Sequence, residues 1–301
     1  MTQSAIENRQ STITAVDLCG GAGGWACAAA GLPVRIVAAV DLWPACCRTY
    51  RLNHSGVEVI EGDVREAKVQ ECITSMHPDL VLGAIPCQWL TVRRSEATHN
   101  AVGPEELAQE RRTLRAVLDL VERIKPRWWC LEDVVQLRRE LPEGTPFVTL
   151  EAKHFSPQSR RRLYVGRFPS PILRRDSRTL ADCLRPGPWR IGTRAADRAI
   201  GRSKTFSPDL LYSAYPARKC PTICSLSSRR DAEFCVIDPA IPGGRRQLEW
   251  QEAARAQGFP DDYVFYGSPT AVWGMIGQAI QIDTGRAILK EIVSDWKDSQ
   301  K

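Results

Sequence analysis

Residues 12–32, "TITAVDLCGGAGGWACAAAGL", read as a strand, a tight glycine-rich turn and a helix. Ile13, Ala15 and Val16 lead into Asp17, and four glycines follow between positions 20 and 24. Glycine lets a backbone approach a ligand closely, because it carries no Cβ. The turn does not match the GxGxxG fingerprint of dinucleotide-binding folds. Working outward, "VRIVAAVDL" (34–42) is a second apolar run that reaches an acid, Asp41, and "VEVIEGDV" (57–64) is a third that reaches Asp63. "DLVLGAIP" (79–86) is a fourth and leads into Cys87, and "RWWCLED" (127–133) is a fifth that reaches Glu132. Helical patterns lie between the runs. The clearest spans 105–124, where Leu114, Val117, Leu118 and Val121 recur at helical spacing before Pro126. Strands alternating with helices predict an α/β fold with a mainly parallel sheet. Ligands of such sheets collect at the carboxyl ends of the strands. One mouth would then gather the glycine turn, the acids at 17, 41, 63 and 132, and Cys87.

Composition narrows the function classes. The chain has 301 residues, 43% of them apolar, which suffices for one large domain or a large one with a small one. No stretch approaches the ~20 apolar residues of a membrane span, and the opening "MTQSAIENRQ" shows no apolar core of a secretory signal. Eleven scattered cysteines, an odd number, read as reduced thiols in a cytoplasmic protein rather than as a disulfide framework. There is no CxxC pair, and the four histidines (54, 77, 99 and 154) lie far apart, so no metal site is expected. The net charge is +6, and it is unevenly spread. Residues 153–230 hold 18 Lys or Arg against four Asp and no Glu, a local +14 that leaves −8 for the remainder. That asymmetry points to a polyanion partner. The same stretch is rich in proline and lacks periodicity, so a small loop-rich domain is expected over 169–245, between a first part (1–168) and a return (246–301) to the main domain. The C-terminal "TGRAILKEIVSDW" is amphipathic, with Ile288, Leu289, Ile292, Val293 and Trp296 on one face, and is expected to pack back on the first part.

Two readings concern ligands. Asp41 follows Asp17 by 24 residues, a spacing that suits a carboxylate on ribose hydroxyls. A turn and a ribose acid without a phosphate cradle suit a nucleoside ligand lacking a pyrophosphate, and S-adenosyl-L-methionine is the commonest such cofactor. In "SPQSRRRLYVG" (156–166), Gln158, Arg160 and Arg162 alternate, and on a strand they would share one face. A cysteine after a strand often only fills space, since sulfur packs as a small hydrophobe. The convergence at the sheet mouth argues against that for Cys87.

In order, "DLCGGAGG", "PCQWLT", "EDV", "QSRRR", "PTICSLS", "EAARAQGFPDDY" and "IGQAI" resemble the motifs of the DNA (cytosine-5-)-methyltransferases, from about residue 13 to 290. The resemblance implies a Rossmann-like S-adenosylmethionine-dependent methyltransferase domain, with the basic insert as target-recognition domain. It makes Cys87 a thiolate that adds to carbon 6 of cytosine, Glu132 a partly neutral carboxyl at ring nitrogen 3, and Arg162, with Arg160, the holder of the ring's carbonyl oxygen. Those arginines would also lower the thiol's pKa. It implies that double-stranded DNA is the partner and that the target base is flipped out of the helix. On the cofactor side, Asp17, Leu18, Cys19, Gly21, Gly23 and Gly24 match the first motif, and Asp41 the ribose acid, with Leu42 beside the adenine. Asp63, with Val64, matches the contact to the adenine amino group; Pro86, Gln278 and Ala279 match positions nearer the methionine end. Gln88, Arg93, Arg94 and Gln158 match positions toward DNA, and residues 92–110 the mobile loop that closes on the flipped base. A monomer is expected, and a restriction endonuclease partner is possible within the family.

Some positions depart from the usual pattern. Cys19 stands where an aromatic residue often stacks on adenine, Asp133 where Asn is usual, Trp89-Leu90 where Gly-Phe is common, and Gln278 where Asn is usual. They keep three alternatives open: a tRNA cytosine-5 methyltransferase, faintly echoed by Thr91-Val92-Arg93, a variant using a modified S-adenosylmethionine-type donor, and a non-catalytic DNA-binding relic.

Overall fold

The computed structural model describes residues 12–86, 104–184, 190–192, 219–220, 222–224, 235–237 and 245–301. Cys87, Gln88, Arg93 and Arg94 lie outside the described residues, as do Trp89-Leu90 and the loop residues 92–103.

The residues form two compact units: 1–150, 161–172 and 285–301, and 151–160 with 173–284. The first unit holds most of a seven-stranded sheet. Its strands are β1 (Ile13–Leu18), β2 (Val34–Asp41), β3 (Glu58–Glu61), β4 (Leu80–Ala84), β5 (Trp128–Asp133), β6 (Phe147–Glu151) and β7 (Arg161–Val165), in the order β3-β2-β1-β4-β5-β7-β6. The five strands legible as apolar runs pair in parallel, β3 with β2, β2 with β1, β1 with β4 and β4 with β5. Near-continuous burial along β1 and β4 is what a parallel sheet covered on both faces requires. β7 runs antiparallel to β5.

Four helices connect these strands: α1 (Gly24–Ala29), α2 (Pro44–Asn53), α3 (Ala67–Ser75) and α4 (Pro104–Ile124). In α4 the buried apolar positions are Leu114, Val117, Leu120 and Val121, while Leu118 is only half buried. The apolar stripe is therefore turned by a fraction of a turn from the sequence reading. These residues pack on Val16, Leu18, Val81 and Leu131 of the sheet.

The second unit carries α5 (Trp250–Gln257) and α6 (Pro269–Gln278). It also has a small antiparallel sheet of β8 (Arg190–Gly192), β9 (Cys235–Ile237) and β10 (Arg245–Gln247) in the stretch expected to be loop-rich. Residues 246–284, expected to rejoin the main domain, group with this unit. The last helix, α7 (Ile282–Asp298), returns the chain to the first unit from Gly285 onward. There Ile288, Leu289 and Ile292 are fully buried. Trp128 donates its indole N–H to Asp295 at 2.9 Å, and Arg286 donates to the carbonyls of Ala28 and Ala30.

The nine cysteines whose side chains are described form no disulfide. Among the described residues no helix is long and apolar enough to cross a membrane, and no cluster of His, Cys, Asp or Glu has the makings of a metal site.

Candidate active site

The glycine turn is built from the carboxyl end of β1. Gly20 N–H donates to Val40 O at 3.0 Å, and Gly21 N–H donates to Asp41 Oδ2 at 2.8 Å. The other oxygen of Asp41 accepts from Trp43 N–H at 2.8 Å. The carboxylate at the end of β2 thus ties the turn to its own strand, and burial raises its pKa while these backbone donors oppose the rise. Gly20 is tightly packed, since a Cβ there would lie 3.0 Å from Asp17 Cγ and 3.1 Å from Tyr50 Cε2. Beyond Gly21, at φ +55°, the space is open. Leu42 stands 63% exposed after Asp41.

Asp17 is fully buried beneath the turn. Tyr50 of α2 donates its hydroxyl to Asp17 Oδ2 at 3.1 Å, and Oδ1 has no hydrogen-bond partner among the described residues. Burial pushes this carboxyl up to about 7, against the Tyr50 hydrogen bond, with Asp41 adding to the rise. Cys19, in a left-handed conformation at φ 53°, feels Asp41, Asp17 and Asp63 together, and burial and those acids hold its thiol in the neutral form. Asp63 is gripped by Arg65, whose backbone N–H and Nε reach Oδ1 at 2.8 and 2.9 Å, and that grip holds its carboxyl below the usual range. Val64 is buried beside it.

At the neighbouring strand ends, Glu132 pairs in register with Ala84, and Ile85 N–H donates to Glu132 O at 3.2 Å. Pro86 is exposed, one residue before Cys87. Glu132 is 4% exposed, and Arg162 of β7 places Nε 3.2 Å from its Oε1. The antiparallel β5–β7 pairing sets Glu132 opposite Tyr164 and Asp133 opposite Leu163, which brings this arginine to the acid. Asp133 is buried and accepts from Val134 N–H.

Arg160 and Gln158 are placed differently from Arg162. β7 begins only at Arg161, so 158, 160 and 162 do not share one strand face. The chain turns at 156–158, where the Ser156 hydroxyl donates to the Ala152 and Gln158 carbonyls. Arg160, 3% exposed, donates to Ile223 O at 2.8 Å, Ala279 O at 3.0 Å and Gly277 O at 3.2 Å. Gln158 donates to Gln257, which donates to Ala279 O. These contacts make both side chains braces of the second unit. Gln278 is exposed at the end of α6, and Ala279 is buried.

The profile of the C-5 cytosine-specific DNA methylases matches residues 13–145 and 217–294, well over half of the chain. The chain belongs to that family. Among curated members of known name, it is 25% identical over 315 residues to the type II methyltransferase M.MthTI of Methanothermobacter thermautotrophicus, covering 86% of this chain and 91% of that one. It is 27% identical over 300 residues to M.NlaX of Neisseria lactamica, covering 86% and 88%. Among solved structures, the methylase fold is shared with the S. pombe Dnmt2 methyltransferase, with TM-score 0.66, 16% identity, 94% of this chain and 99% of that chain. It is shared equally with a putative DNA modification methyltransferase from an E. coli prophage, with TM-score 0.65, 17% identity and coverage of 95% and 100%. The methylase profile leaves out 146–216, which holds β6, β7, β8 and much of the basic segment.

Sequence reasoning missed two supports of these acids. Tyr50 reaches Asp17 across 33 residues, which no local pattern encodes, while Arg65 covers Asp63 from only two residues on, a local Asp-x-Arg turn that could have been read.

Proposed function

We propose that this methylase transfers a methyl group from S-adenosyl-L-methionine to carbon 5 of a cytosine flipped out of double-stranded DNA, with Cys87 as the covalent nucleophile. The observation that carries the reading is the β4–β5 register. It sets buried Glu132, paired with Arg162, opposite Ala84, three residues before Cys87.

The first unit fits the donor. The open space over Gly21, the Asp41 carboxylate at the turn, the exposed Leu42 face and the unmatched oxygen of Asp17 suit a nucleoside bearing a positive sulfonium. Asp17, Leu18, Cys19, Gly21, Gly23, Gly24, Asp41, Leu42, Asp63, Val64 and Pro86 would hold it. Gln278 and Ala279 are assigned to its methionine end on motif alone. The bound donor supplies an electrophilic methyl group on sulfur.

The chain's own residues do the rest. Carbon 5 of cytosine is a weak nucleophile. Addition of the Cys87 thiolate at carbon 6 breaks the ring's aromaticity and leaves carbon 5 enamine-like. Glu132, as its neutral acid, gives a proton to nitrogen 3 as negative charge builds there, and Arg162 donates to the ring's carbonyl oxygen. Once carbon 5 carries the methyl group, loss of its proton to solvent, departure of the Cys87 thiolate and return of the nitrogen-3 proton to Glu132 restore the ring. Arg160 serves through the backbone it braces. Gln88, Arg93, Arg94 and Gln158 are proposed to face the DNA, and the basic insert to make phosphate contacts. The base must leave the stack for the thiolate to reach it, at a cost of a few kcal/mol offset by the pocket. We further propose that the protein acts as a monomer in the cytoplasm, paired with a restriction endonuclease; the type II names of the relatives support that pairing.

Incubation with methyl-tritiated donor and either duplex DNA or tRNA tests the reading. Label in DNA that disappears with Cys87→Ser is expected. Label confined to tRNA, or absent from both, contradicts it.

A further inference from the structure

We propose that Trp25 is a positioning residue, whose indole N–H clamps the Gly83 carbonyl and so fixes where β4 delivers Cys87; this rests on the functional reading above. Trp25 is the second residue of helix α1, directly after the glycine turn, and is 1% exposed. Its Nε1–H donates to Gly83 O at 3.1 Å, across 58 residues of sequence.

Packing alone does not call for an indole. A phenyl ring fills most of the same space without a polar atom, whereas a buried N–H must find an acceptor. The acceptor it finds lies on a strand with no slack. A Cβ on Gly83 would sit 2.8 Å from Leu18 O and 3.0 Å from Leu131 Cδ2, so β1, β4 and β5 leave no room for a side chain here. Two residues on, Ile85 N–H is bound by Glu132 O. The end of β4 before the nucleophile is therefore held from two sides. One hold comes from the strand of the proposed proton donor, the other from the helix that starts at the donor turn.

The backbone groups that shape the donor turn, held by Asp41 and Val40, do not involve the indole. Loss of the N–H should thus loosen the delivery of Cys87 and leave donor binding alone. This sets Trp25 apart from a residue that only fills the core.

Two variants test it: Trp25→Phe, and the full chain carrying benzothienylalanine at 25, which has sulfur in place of N–H and keeps the ring size. The probe is duplex DNA of mixed sequence carrying 5-fluorodeoxycytidine, which traps the thiolate adduct. Expected for both variants are adduct formation and kcat lowered about tenfold, the upper end for losing one buried hydrogen bond. The Kd for S-adenosylhomocysteine should stay within about twofold, and the thermal midpoint of the isosteric variant close to wild type. Unchanged adduct formation in the isosteric variant overturns the inference. So does a loss of S-adenosylhomocysteine affinity in step with kcat, or activity that tracks only the unfolded fraction. If the wild-type chain forms no adduct, the functional reading fails first, and the inference with it.

Discussion

Asp17 lies buried beneath the glycine turn. A carboxyl buried with a single hydroxyl donor favours its neutral form, and burial pushes it up to about 7. The unfolded chain has an ordinary carboxyl near 4. Between about pH 4 and 7 the folded state therefore holds a proton that the unfolded state has released, so Asp17 makes stability fall as pH rises through that window, and at lower pH the loss is absent. Asp17→Asn keeps an acceptor for Tyr50 and removes the titration. Urea unfolding across pH 4–8 should show the wild-type slope flattened by about 1.4 kcal/mol per pH unit in the variant; identical slopes would show that Asp17 is ionised throughout. Glu132 belongs to the same scale. Glu132→Gln keeps the shape but cannot pass a proton, and is expected to lower kcat by about 10²–10⁴-fold while duplex binding stays near wild type. Asp17, Asp41, Asp63 and Glu132 were legible as acids at the ends of apolar runs. Arg160 was not. The alternation at 158, 160 and 162 presumes a strand from 158, and only the turn at Ser156–Gln158, held by long-range backbone contacts, shows that it starts later.

Strand β4 is tightly packed at Gly83. Gly83→Ala forces a Cβ to 2.8 Å from Leu18 O in the middle of the sheet, an overpacking expected to cost about 1–3 kcal/mol by urea unfolding. Gly56→Ala, where nothing lies within 4 Å, should cost no more than a few tenths; equal costs would show that β4 yields freely. The five parallel strands and the helix before Pro126 were legible because apolar runs and helical spacing are local signals. β6 is half exposed along "FVTLE" and carries no clear pattern, so it was not; the antiparallel β5–β7 register that brings Arg162 to Glu132 is a long-range pairing that no local signal gives. In α4 the choice between Leu118 and Leu120 turns on how the helix rolls against the sheet, which spacing does not encode.

At the scale of the molecule, charge is the quantity that speaks to the partner. Residues 153–230 carry a local +14 within a chain of net +6, and Arg174 and Arg175 stand exposed in that stretch. Duplex binding should weaken steeply with salt, and replacing both arginines by alanine should reduce the magnitude of the log Kd–log salt slope by about 2, one unit for each phosphate no longer neutralised. An unchanged slope would place the DNA elsewhere. The change in texture after 168 is the signal behind the domain expected over 169–245; the observed units instead divide after 150, 160, 172 and 284, and the grouping of 246–284 with the second unit carries no local signal, since α5 and α6 look like any amphipathic helices until their partners are known. Covalent methylation of cytosine in DNA is the claim on which the rest depends, and nucleoside mass spectrometry of DNA from cells expressing the chain tests it most directly. 5-Methyl-2′-deoxycytidine is expected with the wild-type chain and absent with Cys87→Ser; an unmodified cytosine pool with wild type, or the same product with the serine variant, would contradict it.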